Sequence, residues 1–226
     1  MKRKLWNKDT ILMLQGNAVS ALGDILYSVA IGYWVYEKTG SSALMGIMSS
    51  ISMFMTMLVM PFSGSILDKC SRKLIIVGMD TLRGVIMLAL GVLAFADSLS
   101  VPVVLAAAFL ASACSVFFSP AVNTLMLDII PHDDMVRGQS VFSGVNSFIN
   151  LVGKAISGAL VAFLGVPLIV LLNGVSYLVS AFTELFITVP KTVHQGEKIT
   201  LGGIFADFRV AVREIFGNRY LKLFIP

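Results

Sequence analysis

Residues 101–123 read VPVVLAAAFLASACSVFFSPAVN, and this stretch contains no Asp, Glu, Lys or Arg. An α-helix rises about 1.5 Å per residue, so about 20 apolar residues are enough to cross the roughly 30 Å hydrocarbon core of a bilayer. A helix at the surface of a soluble protein carries a charged face, which this stretch lacks. It therefore predicts a helix that lies in lipid.

Five more stretches have the same length and character. Together they predict an all-α, polytopic membrane protein with six transmembrane helices, here called spans one to six, over residues 10–36, 43–67, 74–96, 101–123, 139–164 and 166–189. The composition agrees, because 57% of the residues are hydrophobic and only 13% are charged, whereas an ordinary soluble domain has about 25% charged residues. The bundle is predicted to occupy residues 1–190.

Basic residues mark one side of this bundle. Of the 17 Lys and Arg residues, 14 fall on that side: Lys2, Arg3, Lys4, Lys8, Lys69, Arg72, Lys73, Arg137, Lys191, Lys198, Arg209, Arg213, Arg219 and Lys222. Only Lys38 falls in a loop on the other side. Cytoplasmic loops carry such an excess of basic residues, so a multi-pass protein of the cell membrane is predicted, with its N- and C-termini in the cytoplasm.

The last residues differ in character from the spans. Residues 191–218 are predicted to form a cytoplasmic linker with an amphipathic helix, because Phe205, Phe208, Val212 and Ile215 recur at helical spacing. Residues 219–226 are again apolar and resemble the start of a seventh span that is cut off.

Several classes of function are disfavoured by the sequence. The net charge of +4 does not indicate a nucleic-acid partner, because the basic residues lie at helix ends and in short loops. An intramembrane enzyme is disfavoured, since both histidines, His132 and His194, fall outside the spans. The two cysteines, Cys70 and Cys114, have no metal-ligand spacing. We therefore expect no catalytic residue, no metal site and no cofactor.

Five ionisable side chains fall inside the spans: Asp24, Asp80, Arg83, Lys154 and Glu184. A charge at bilayer depth costs about 2.5–3.5 kcal/mol on insertion scales, so such residues usually face a partner or water. Asp24 and Lys154 lie deep, and their opposite signs allow a pair. Asp80 and Arg83 are three residues apart on one helix, which permits a local pair that Glu184 could join.

Two spans also carry polar stripes at helical spacing. The stripe of span one is Asn17, Ser20, Asp24 and Ser28; that of span five is Ser143, Asn146, Ser147, Asn150, Lys154 and Ser157. One interpretation is a water-filled cavity along a proton or substrate pathway formed by Asp24, Asn17, Asn146, Asn150 and Lys154. The other is hydrogen bonding between helices. Span two holds six of the 12 methionines, which suit either an adaptable binding surface or plain apolar packing.

The connection between spans two and three reads GSILDKCSRK from Gly64 to Lys73. It resembles the signature loop of the major facilitator superfamily, G-x-x-x-D-R-x-G-R-R/K. The resemblance implies a conformational-switch loop made by Gly64, Asp68, Lys69, Arg72 and Lys73, in which Gly64 lets helices approach each other closely.

Other motifs resemble the macrolide-efflux-type branch of that superfamily. They are Gly23-Asp24, the stretch WVYEKTG at residues 34–40, Asp80-x-x-Arg83, and Asn173-Gly174-x-Ser176-Tyr177 followed by Ser180-x-x-x-Glu184. The resemblance implies the N-terminal half of a twelve-helix transporter, built as a 3+3 inverted repeat. It also implies proton-coupled export of amphipathic drugs or metabolites by alternating access.

This interpretation sets the partners. They are a small amphipathic substrate, the lipid bilayer, and either the C-terminal half of the same transporter or a second copy of the chain. The alternatives left open by the residues are a channel or regulatory membrane subunit, or a truncated transporter without function.

Overall fold

A computed structural model of the chain describes residues 5–188, apart from the side chains of Pro61, Phe62, Ser65, Asp68 and Lys69. This part of the chain consists of helices joined by short connections. The helices are α1 (Lys8–Thr39), α2 (Ser42–Lys69), α3 (Arg72–Phe95), α4 (Val101–Ile129), α5 (Met135–Leu164) and α6 (Val166–Glu184), with a single 3₁₀ turn at His132–Asp134. Each of the six is long and apolar enough to cross a membrane, which confirms the predicted fold class. The predicted linker at 191–218 and seventh span at 219–226 lie outside the described residues.

Local signals fix where the helices begin and end. Asn7 caps α1, because its side-chain oxygen accepts the backbone N–H of Thr10 at 2.8 Å. Gly40 ends α1 in the left-handed conformation, with φ of 64°, and its N–H reaches the carbonyl of Tyr36. Gly165 (φ of 77°) is the only residue between α5 and α6, and Pro167 follows in the first turn of α6. These tight joints force successive helices to run antiparallel.

Two predicted loops are shorter in the structure. Asp128 and Arg137 were expected in a loop, but α4 continues to Ile129 and α5 begins at Met135. The expected loop at 68–73 shrinks to Cys70 and Ser71, since α2 continues to Lys69 and α3 begins at Arg72. The helices therefore continue past the apolar spans, through charged residues that a hydropathy criterion leaves out.

We call the end of the bundle where α1, α3 and α5 begin the basic end. Three contacts show that helix starts and helix ends meet there. Asn7 donates to the carbonyl of Ile129 at 3.3 Å, and the Lys73 ammonium donates to the carbonyl of Leu185 at 2.6 Å. The backbone N–H of Thr188 donates to Asp9 at 2.9 Å.

The packing of the helices has an internal symmetry. The most extensive contacts join α3 with α6, α1 with α6, α3 with α4, α2 with α4, and α1 with α5. Exchanging α1, α2 and α3 for α4, α5 and α6 returns the same set of pairs. Because α1 begins at the basic end and α4 at the opposite end, the two triplets are related as an inverted 3+3 repeat.

The apolar core is split into two clusters. One contains Leu125, Ile129 and Ile76 and lies towards the basic end. The other contains Ile31, Leu90 and Val170 and lies towards the opposite end. The charged residues of the interior lie between these clusters, so the fold places a polar layer near the middle of the bundle.

Candidate functional site

The polar layer is formed by side chains that are almost fully removed from the surface. Asp80 is 0% exposed, Arg83 3% and Glu184 1%. Ser180 and Asn173 of α6 are buried beside them. A buried charge that lacks a partner is costly, so the contacts of each charged group define what the layer can do.

Arg83 of α3 is the centre of this layer. Its guanidinium forms an ion pair with Asp80, one turn earlier on the same helix. It lies between two aromatic rings, 4.2 Å from the centroid of Phe118 and 4.5 Å from that of Tyr177, within the range of cation–π attraction. It also donates to the Ser115 hydroxyl at 3.4 Å. One cation thus ties α3 to α4 and α6.

Asp24 of α1 also belongs to this layer. The Tyr177 hydroxyl donates a hydrogen bond to its carboxylate, and Arg83 lies close enough for its charge to act on that carboxylate. Asp24 is half-buried, because its other face borders a cavity. It is therefore both accessible from the cavity and coupled to the buried cation.

That cavity has a volume of about 470 Å³ and lies between α1, α2 and α4. We call it the methionine cavity. Met45, Met48 and Met87 contribute apolar lining, and Asp24 and Tyr177 line the cavity as well. Two of the span-two methionines thus line a cavity, whereas Met53 and Met57 are about four-fifths exposed on the outside of α2.

A second cavity of about 180 Å³ lies between α1, α4 and α5. We call it the amide cavity, because Asn17, Asn123, Gln139 and Asn146 line it. Phe118 forms part of its wall as well. The structure thus places Asn17 and Asn146 on one cavity, which is separate from that of Asp24.

Asn150 and Lys154 occupy a different environment. Both are exposed on α5, and Asn150 donates to the carbonyl of Asn146 on its own helix at 3.1 Å. The pair of Asp24 with Lys154 that their signs allowed is not formed, since Asp24 bonds Tyr177 and faces Arg83. Depth along a helix does not fix the direction in which a side chain points, and α5 turns Lys154 outwards.

The serines of the two stripes bond to their own helices rather than across an interface. Ser20 donates to the carbonyl of Gly16 at 2.7 Å, Ser28 to that of Ile25 at 2.8 Å, and Ser157 to that of Lys154 at 2.9 Å. Short hydroxyl side chains commonly return to a carbonyl three or four residues earlier. Expected hydrogen bonding between helices is therefore not seen for these three residues.

Glu184 ends α6 on the basic side of the layer. Ser180 donates to one of its carboxylate oxygens at 3.2 Å, while the other oxygen has no hydrogen-bond partner within residues 5–188 as described. Asp80 lies close enough for the charges of the two acids to interact. Asp24, Arg83, Asp80 and Glu184 thus form a line of ionisable groups running towards the basic end.

Residues of the signature loop separate into two groups. Arg72 forms an ion pair with Asp128 at the end of α4, and Lys73 donates to the carbonyls of Leu185 and Ile187. Gly64 is exposed, and no atom of a described residue lies within 4 Å of a Cβ built there, so the expected close approach of helices is not seen among the described residues. The backbone of Asp68 and Lys69 forms the last turn of α2.

Sequence reasoning named Tyr177 only as part of a motif and did not assign a role to Phe118. A signal for the first was available. Asn173, Tyr177, Ser180 and Glu184 recur at spacings of four, three and four residues, which places them on one face of α6. Phe118 gives no such signal, because an aromatic residue in a membrane span is ordinary.

A bundle of six apolar helices in an inverted repeat, with a charged layer bordered by cavities, has the architecture of a secondary transporter. The family model of the Major Facilitator Superfamily matches residues 13–225. The chain therefore belongs to the Major Facilitator Superfamily and is a multi-pass membrane protein of a transporter family rather than an enzyme family.

Curated relatives are similar to the chain at low identity. It is 23% identical over 186 residues to macrolide efflux protein A of Streptococcus pyogenes, which covers 82% of this chain and 46% of the relative. It is 29% identical over 218 residues to a putative bacilysin exporter of Bacillus subtilis, covering 92% of this chain and 51% of the relative. The chain thus spans about half the length of the curated relatives it matches.

Proposed function

We propose that this chain supplies one six-helix half of a proton-coupled secondary transporter that exports amphipathic drugs or metabolites by alternating access. Membership of the superfamily supports transport, and the names of the relatives, which are efflux proteins and exporters, support the outward direction. In this class of fold the substrate is bound between two such halves.

The second half is the C-terminal half of the same transporter or a second copy of this chain. Two helices offer the surface for it. In the most apolar stretch of α2 only 6% of the residues are buried, and in that of α5 17%, against 44% in α3 and in α6. Both cavities lie on the α2 and α5 sides of the bundle. A partner half placed against α2 and α5 would enclose both cavities.

The basic end is assigned to the cytoplasm, and the membrane is the cell membrane. The assignment is supported by the excess of Lys and Arg at that end. The segments before α1 and after α6 then lie in the cytoplasm.

Asp24 is the proposed proton carrier. The proposal of proton coupling is based on the position of its carboxylate. It faces the methionine cavity, yet it is hydrogen-bonded to Tyr177 and near Arg83. A proton on this carboxylate removes its attraction for Arg83, so its protonation state can bias how α1 packs on α3 and α6. Asn17, Asn146, Asn150 and Lys154 are assigned to the substrate part of the pathway.

Asp24→Asn in the intact transporter tests this proposal, with a macrolide and bacilysin as the two probes. Export from cells is measured with and without a protonophore that collapses the proton gradient. We expect the wild type to lose export when the gradient collapses. We expect Asp24→Asn to abolish gradient-driven export at unchanged membrane insertion, because the amide cannot take up a proton.

Asp97→Asn is the matched control. Asp97 is an exposed acid in the connection before α4, with φ of 52°, and Asn tolerates that backbone conformation. Its export should equal that of the wild type. Export that persists after the gradient is collapsed would instead favour a channel. Gradient-driven export that is unchanged in Asp24→Asn would remove Asp24 from the mechanism.

A further inference from the structure

The two cavities are separated by a stack of three side chains. Tyr177 lies on the wall of the methionine cavity, and Phe118 lies on the wall of the amide cavity. The guanidinium of Arg83 lies between their rings, at 4.5 and 4.2 Å from the two centroids. Ser115, which Arg83 contacts at 3.4 Å, is also on the methionine side. The stack therefore separates the methionine cavity from the amide cavity.

The charge in this stack is fixed. The side chain of Arg83 is 4% exposed, and that of Asp80, its ion-pair partner, is 0% exposed. Arginine does not lose its proton in proteins. The cation therefore cannot act as a proton carrier, and it cannot move aside without leaving a buried carboxylate unpaired, which is strongly unfavourable.

A fixed cation inside a membrane pore excludes protons and other cations, as in channels that use an arginine for this purpose. Here the geometry points to Arg83 as the residue that blocks proton passage within the bundle, between the methionine cavity and the amide cavity. Phe118 and Tyr177 hold it in place and close the gaps around it. Protons that reach Asp24 from the methionine cavity are then kept from escaping to the amide cavity.

This inference rests on the proposed function in one respect, since a barrier against proton leak is useful only to a protein that is driven by a proton gradient. Its test needs neither a substrate nor coupling. The intact protein is reconstituted in vesicles loaded with a pH-sensitive dye, and potassium with valinomycin holds the membrane potential at zero. After an external acid pulse, the rate of internal acidification reports the proton leak.

The informative variant is the double substitution Asp80→Asn with Arg83→Gln. It removes both members of the ion pair together, so Asp80 is not left as a buried carboxylate without its partner. We expect it to acidify vesicles several-fold faster than the wild type at equal reconstitution. Arg83→Lys keeps the positive charge and should stay near the wild-type rate. Asp97→Asn changes an exposed acid outside the stack and should do the same.

Two results would overturn the inference. One is a double variant that is folded, by monodisperse elution, and leaks no faster than the wild type. The other is an Arg83→Lys variant that leaks as fast as the double variant, because packing rather than charge would then form the barrier. Failure of gradient-driven export in the wild type would count against the proposed function alone, since the leak rates are measured independently.

Discussion

Tyr177 is the side chain that connects the two charged groups of opposite sign in the interior. Its hydroxyl donates to Asp24 on α1, and its ring stacks on Arg83 of α3. The two contacts use different parts of one side chain. They can therefore be separated by a substitution that removes the hydroxyl and keeps the ring.

We expect Tyr177→Phe to lower the free energy of unfolding by about 1.5–3 kcal/mol, the usual contribution of a hydrogen bond to a charged group. Tyr27→Phe is the matched control, because the buried Tyr27 hydroxyl has no hydrogen-bond partner among the residues that the structure describes. Its removal should be neutral or slightly stabilising. Denaturation in mild detergent, followed by tryptophan fluorescence, measures both.

A double-mutant cycle with Asp24→Asn assigns the effect to the pair. Tyr177→Phe should cost less in the Asp24→Asn background, where the hydroxyl can donate only to a neutral amide oxygen, than in the wild type. An equal cost in both backgrounds would show that the hydroxyl acts without Asp24.

Charge identified part of the site from sequence alone. Asp24, Asp80, Arg83 and Glu184 stand out because ionisable residues are rare in membrane spans. The same reasoning placed Lys154 with them, yet it lies exposed on α5. Hydropathy reports how deep a residue lies but not the direction in which it faces, and that direction depends on which helices are neighbours.

At the scale of helices, α3 and α6 have the most extensive contact of the bundle, and their backbones pack closely. A Cβ added at Gly174 of α6 would lie 2.8 Å from the backbone nitrogen of Leu88 on α3. One added at Gly91 of α3 would lie 3.0 Å from the backbone nitrogen of Leu171. Small residues at such crossings let backbones pack closely in membranes, where lipid is as apolar as the side chains. These contacts hold Arg83 and Tyr177 at their separation.

Gly174→Ala should therefore destabilise the protein by about 1–3 kcal/mol, as overpacking does, because a backbone atom cannot move aside as a flexible side chain can. Gly78→Ala on α3 is the matched control. Gly78 is exposed and no atom of a described residue lies within 4 Å of a Cβ there, so the higher helix propensity of Ala should leave stability equal or improved. Thermal stability by size-exclusion chromatography compares them, and equal melting temperatures for the two variants would contradict the close approach.

Helices were predictable from the sequence, but their neighbours were not. The six spans follow from length and hydropathy, and their ends were missed mainly where polar residues continue a helix, as at Asp128 of α4 and Arg137 of α5. The pairing of Arg72 with Asp128 required knowing that α3 and α4 meet at the basic end. Apolar faces in lipid carry little information about packing order, because hydrophobic burial does not distinguish a helix neighbour from lipid.

For the molecule as a whole, the inverted repeat relates the methionine cavity to the amide cavity. The methionine cavity lies between α1, α4 and α2, and the amide cavity between α4, α1 and α5. These are the sets that the symmetry exchanges. The two cavities differ in chemistry, since one is lined by methionines and Asp24 and the other by amides. The symmetric scaffold thus presents two chemically unlike surfaces.

Orientation in the membrane decides which surface faces which compartment, and it is the last prediction. Lys38→Cys and Ser98→Cys mark the opposite end, where both positions are exposed. Cys70, which is half-buried, and Asp133→Cys, at an exposed position, mark the basic end. The other cysteine, Cys114, is 4% exposed and should not react with a hydrophilic reagent. Each marker is tested with a membrane-impermeant maleimide on intact cells and on inverted membrane vesicles.

We expect residues 38 and 98 to be labelled in intact cells, and residues 70 and 133 only in inverted vesicles, because basic loops are retained in the cytoplasm. Cys70→Ala in the background of the other three variants removes the native thiol from their signal. Labelling of residues 38 and 70 from the same face would contradict the prediction that α2 crosses the membrane between them. The reverse pattern would keep the bundle but turn it over, and the methionine cavity with Asp24 would then lie in the half nearer the cytoplasm.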